Sequence, residues 1–80
     1  MNIDEIMLVV KWGLKKISPH KYTGKVKGKS VEVLVPYKIS KVFVSKFIPN
    51  GYILYIDNTQ YRPEKKRITL REIDNKLKEL

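Results

Sequence analysis

The sequence predicts an α+β fold: one small domain over residues 1–80, with an N-terminal helix, a four-stranded antiparallel sheet built of two hairpins, and a C-terminal helix. Three observations carry this expectation. Apolar residues recur at helical spacing at both ends of the chain, they alternate with other residues through the middle, and glycine turn signals divide the alternating stretches. With 80 residues, 42% of them hydrophobic, the chain can build one modest core and lies near the lower size limit for folding unaided.

Asn2 precedes Glu5 by three residues, a capping-box spacing, and Ile3, Ile6, Met7, Val10, Leu14 and Ile17 then fall on one stripe. The expected helix covers about residues 2–17 and ends at Ser18-Pro19, because the residue before proline is pushed out of the helical region. Gly13 weakens that helix by about 1 kcal/mol relative to alanine, and the β-branched content leaves a strand as the alternative for residues 6–12. Tyr22 to Lys27, a turn at Gly28, and Ser30 to Val35 read as a hairpin. After Pro36, a third strand is expected from about Ile39 to Ile48, and Pro49-Asn50-Gly51 should turn it into a fourth at Tyr52 to Asp57, pairing Ile48 with Tyr52. That register places Tyr52, Leu54 and Ile56 on the core side and Lys41, Phe43, Phe47, Ile53 and Tyr55 on the opposite face. Residues 58–66 read as a polar, basic connector. A final helix follows, with Thr69 and Glu72 as a capping box, an apolar stripe of Leu70, Ile73, Leu77 and Leu80, and favourable pairs Glu72–Lys76 and Asp74–Lys78.

Charge is the strongest functional signal. Between Lys11 and Lys46 stand ten lysines and one acid, Glu32, a net of +9 that equals the net charge of the whole chain. Solubility requires charge but not its concentration in one part of the chain, so the clustering points to a polyanion. Lysine outnumbers arginine 14 to 3, and lysine lacks the planar fork that reads guanine in a groove. Phosphate contact with weak sequence preference is therefore expected. Lys25, Lys27 and Lys29 at the hairpin tip are the leading phosphate contacts, with Lys41 and the basic run Lys65, Lys66 and Arg67 beside them. Phe43, Phe47 and Tyr55 supply a sheet surface on which unpaired bases stack, which favours RNA slightly over DNA and suits a ribosome- or chromatin-associated role.

A second reading is a protein-protein interaction module or a mobile-element regulator. It would dock, or form a homodimer, through Leu8 and Trp12, one helical turn apart and outside the apolar stripe. Gly28-Lys29-Ser30 resembles the end of a phosphate-binding P-loop only superficially, since Thr23 stands where that loop needs glycine and a strand follows instead of a helix. An enzyme is not expected. His20 is the sole histidine, cysteine is absent, and no closely spaced carboxylates offer metal ligands, so neither a catalytic group, a metal nor a cofactor is implied. The cysteine-free composition fits a cytoplasmic protein. The apolar run Ile6–Val10 is too short to span a bilayer and follows acids where a leader would be basic.

Overall fold

The computed structural model describes residues 3–35 and 51–80, with the side chains of 3–5 left aside. In chain order these form α1 (Ile3–Val10), β1 (Lys15–Ser18), β2 (Lys21–Val26), β3 (Lys29–Leu34), β4 (Ile53–Ile56), β5 (Thr59–Gln60) and α2 (Leu70–Glu79). The α+β class, with a helix at each end of an antiparallel sheet, is the one the sequence predicts. The sheet runs β1-β2-β3-β4-β5 in space as in sequence, so among the described residues it has five strands where four were expected. The expected strand at 39–48, with Lys41, Phe43 and Phe47, and the Pro49-Asn50 part of the expected turn lie outside the described residues.

The first helix is shorter than its apolar spacing suggests. It ends at Val10 because Gly13 takes a positive φ of 71°, a conformation that side-chain-bearing residues avoid, and the Leu14 N–H reaches back 2.9 Å to the Leu8 carbonyl. The chain reverses there, and Lys15–Ser18 becomes an edge strand against β2, with Lys15 opposite Thr23 and Lys16 opposite Tyr22. This changes which face is buried. Leu8 and Leu14 are buried at 0% and 2% exposure, while Ile6, Val10 and Ile17 are 40%, 76% and 54% exposed. The 2–17 stripe therefore fails, because Leu14 lies past the end of the helix and Ile17 sits on a strand.

The β2–β3 hairpin closes through Lys27 and Gly28, both at positive φ (51° and 83°), the twist that matches a type I′ turn to flanking strands. Tyr22, Gly24 and Val26 alternate inward and meet Val31 and Val33 of β3. A Cβ at Gly24 would stand 3.0 Å from Leu14 Cδ2 and 3.3 Å from Leu14 Cα, tighter than ordinary contact, so its absence lets Leu14 settle onto the sheet.

Strand β4 holds the inward and outward alternation the sequence predicts, with Tyr52 and Leu54 buried and Ile56 packed against the core. Its partners differ. Leu54 pairs with Val33 and Tyr55 with Glu32 on one edge, while Tyr55 pairs with Gln60 on the other. Tyr52 exchanges both backbone hydrogen bonds with Ile68, at 3.1 and 2.7 Å; the expected pairing of Ile48 with Tyr52 falls on a residue outside those described. Asp57 and Asn58, at φ of 51° and 66°, make the tight turn that converts the expected connector into a fifth strand. Both residues tolerate left-handed backbone better than most, which is why no glycine is needed.

Helix α2 begins as its sequence predicts: the Thr69 Oγ accepts from the Glu72 N–H at 3.0 Å. Ile73 and Leu77 are fully buried, and Leu70 and Leu80 pack against the same core as Leu8, Leu14, Tyr22, Val31, Val33 and Leu54. Both helices thus share one face of the sheet. Of the two expected ion pairs, Asp74–Lys78 forms at 3.2 Å, whereas Glu72 turns to Arg62 at 3.0 Å and Lys76 lies over the Tyr61 ring.

Asp74 joins the helical segments. Its Oδ1 accepts from the Trp12 indole N–H at 3.0 Å and from Lys11 Nζ at 2.8 Å. The hydrogen bond from Lys11 above all, with those from Lys78 and Trp12, holds the Asp74 carboxyl below its ordinary pKa against the opposing effect of burial. A depressed folded-state pKa means that the stabilisation is complete above the unfolded value and is lost as pH falls through the folded one. Asp74→Ala is expected to cost about 1–3 kcal/mol at pH 7, since it leaves the indole N–H without its acceptor. Denaturation of wild type and variant should show that difference shrinking below about pH 4.

Candidate nucleic-acid interface

The face of the sheet turned away from the helices carries three cross-strand rows, read directly from the register. The central row is Lys15–Thr23–Glu32–Tyr55–Gln60. On one side of it lie Lys25 and Ser30, and on the other Lys21, Leu34 and Ile53. Lys15 is diagonal to both Lys21 and Lys25, within the reach of long side chains, so three ammonium groups flank Thr23 along roughly 13 Å of strand. An open depression of about 310 Å³ is lined here by Thr23, Gly24, Lys25, Ser30, Val31, Glu32, Tyr55 and Asn58. Small side chains at Thr23 and Ser30 leave the space, and Tyr55 and Lys25 border it.

Charge is divided unevenly between the two halves of the described chain. From Lys15 to Leu34 there are six lysines and one acid. Lys21 pairs with that acid, Glu32, at 3.4 Å, and Lys29 approaches Asp57 at 3.8 Å. Among the described residues, Lys15, Lys16, Lys25 and Lys27 have no carboxylate within 4.0 Å. Lys16 lies 5.8 Å from the centre of the Tyr22 ring. In the other half acids and bases are interleaved: Arg62 binds Glu64 and Glu72, and these contacts raise its pKa, the Glu64 hydrogen bond foremost.

The tip lysines are thereby separated. Lys25 is exposed on the open face, Lys27 Nζ donates to the Lys78 carbonyl at the end of α2 at 3.0 Å, and Lys29 stands near Asp57, so the three do not form one row. Tyr55 is half-buried on the open face, as its strand alternation predicts. Lys65 is 4.0 Å from Glu72 and Arg67 donates to the Gly51 carbonyl at 2.9 Å, so Lys66 and Arg67 are exposed cations of that run without a described carboxylate partner. Leu8 and Trp12 are not an exposed pair. Leu8 is in the core, and Trp12 packs against it with its N–H bound to Asp74. The helical projection put them outside because it used the longer, incorrect stripe.

Sequence reasoning did not bring Lys15 and Lys21 to the sheet face turned away from the helices, since it placed Lys15 on a helix; Lys16, opposite the buried Tyr22, alternates to the other face. The signal was present in Gly13 and in Ser18-Pro19-His20, a turn cluster between two short stretches of strand-compatible residues. Among the described residues, no three His, Cys, Asp or Glu side chains come together as a metal site, and no helix is long and apolar enough to cross a membrane.

Fold and site together define a small basic α+β domain with a lysine-bearing open sheet face. Comparison with protein-family models, with curated proteins and with solved structures finds no match to this chain.

Proposed function

We propose that this chain is a small, non-enzymatic nucleic-acid-binding protein of the cytoplasm, which takes RNA in preference to DNA and holds phosphates with Lys15, Lys16, Lys25 and Lys27. The observation that supports this reading most is the run of six lysines around a single acid on β1–β3, four of them without a described carboxylate partner. Cations not neutralised internally are those whose counterions a phosphate backbone can displace. Tyr55, on the same face as Lys15 and Lys25, adds a ring on which an unpaired base can stack, and splayed bases are commoner in RNA than in duplex DNA. Docking of a protein through Leu8 and Trp12 loses its support, because a buried leucine offers no contact surface.

Backbone amide shifts of isotopically labelled protein, followed during titration with a single-stranded RNA, test the reading residue by residue. The largest changes are expected from Lys15 to Glu32 and at Tyr55. Changes confined to residues 62–79 would move the interface to the other half of the molecule and overturn it.

A further inference from the structure

We infer that the depression on the open sheet face receives an unpaired guanine, stacked against Tyr55 with its Watson–Crick edge on the Glu32 carboxylate; this rests on the nucleic-acid reading above. Glu32 is an oddity if the face only holds phosphates. It is the sole acid among the six lysines of β1–β3, it sits in the central row directly between Thr23 and Tyr55, and a carboxylate there repels a phosphate backbone. Its side chain is about one-third exposed, and Oε1 is the oxygen 3.4 Å from Lys21 Nζ, so the group is oriented by one lysine while remaining accessible.

A carboxylate accepts hydrogen bonds and donates none when ionised. Among the bases, guanine alone presents two adjacent donors, N1–H and the N2 amino group, to two parallel carboxylate oxygens. Adenine and uracil place an acceptor within their Watson–Crick edges, opposite a carboxylate, and cytosine offers a single amino group. The depression, about 310 Å³, is at the lower end of the range for small-molecule sites, roughly 300–1,000 Å³. Its remaining lining fits the flanking groups of a nucleotide: the Thr23 and Ser30 hydroxyls and the Asn58 amide are neutral donors and acceptors, and Lys25 at the border meets the phosphate. Lys15 and Lys21, on the same face, continue the positive charge to neighbouring phosphates.

The test is binding of fluorescently labelled 12-mers at fixed low salt: oligo-U, the same strand with one central guanosine, and the same strand with one central adenosine. Wild type should bind the guanosine strand about 10-fold more tightly than the other two, as a good bidentate pair discriminates. Glu32→Gln should bring that ratio close to 1 while oligo-U binds somewhat more tightly, since a negative charge has gone. Tyr55→Leu should weaken the guanosine strand by about 10-fold or more. Should that variant fold poorly, the Tyr55 ring resonances of wild type provide the reading, shifting with guanosine 5′-monophosphate and not with the uridine or adenosine analogues. Salt-sensitive binding with equal affinity for all three strands would overturn the guanine site and leave the phosphate reading intact. No salt-sensitive binding to any strand would overturn both.

Discussion

Leu8→Ala is expected to lower stability by about 2–5 kcal/mol, the range for truncating a fully buried leucine. A domain of this size has about 4–12 kcal/mol in total, so the variant should be extensively unfolded at moderate temperature. The side chain has 0% exposure and shares its cluster with Leu14, Tyr22, Ile73 and Leu77, so its removal leaves a void that both helices border. Val10, two residues on and 76% exposed, provides the contrast, and its alanine variant should change stability by less than about 0.5 kcal/mol. Urea denaturation of the two variants checks the pair. Equal, small effects would return α1 to the orientation that its apolar spacing alone suggests.

Simultaneous replacement of Lys15, Lys16, Lys25 and Lys27 by glutamine should have the largest effect on binding. Each phosphate contact contributes about 0.7 to the slope of log affinity against log salt on single strands, so four lost contacts remove about 2.8. If the change lies wholly in that electrostatic contribution, the affinity loss at 0.1 M salt is on the order of 10²–10³-fold. Stability should change little, because none of the four has a described carboxylate partner and each is exposed. Lys27 alone gives up a hydrogen bond, to the Lys78 carbonyl, and that exposed contact contributes about 1 kcal/mol or less. Neutralising Lys65 and Arg62 instead should affect binding far less, since those groups already pair with Glu72 and Glu64.

Much of this architecture is legible in the sequence where local and tertiary preferences agree. Helix α2 is one case: Thr69, the stripe through Ile73 and Leu77, and the polar opposite face all specify the same element. The β2–β3 hairpin is another, since valines at 31, 33 and 35 alternate on one side of a glycine turn. The first seventeen residues are harder because two periodicities compete there. Ile6, Met7 and Val10 fit a helix, but Gly13 at positive φ and the fit of Leu14 against Gly24 favour reversal into a strand. That contact joins residues ten apart in sequence and has no local signature. The partner of β4 was equally obscure, because Pro49-Asn50-Gly51 is a strong local turn signal, whereas the pairing of Tyr52 with Ile68 depends on how α2 docks. The consequence for the site is direct: only when Lys15–Ser18 is a strand do Lys15 and Lys16 stand beside β2.

The salt dependence of wild-type binding to a single-stranded RNA tests the central claim most directly, that the lysines without a described carboxylate partner hold phosphates. Affinity measured from about 50 to 200 mM monovalent salt should fall with a log–log slope of about −3 or steeper, corresponding to four or more phosphate contacts. A slope near zero, or no measurable association at the lowest salt, would contradict the account.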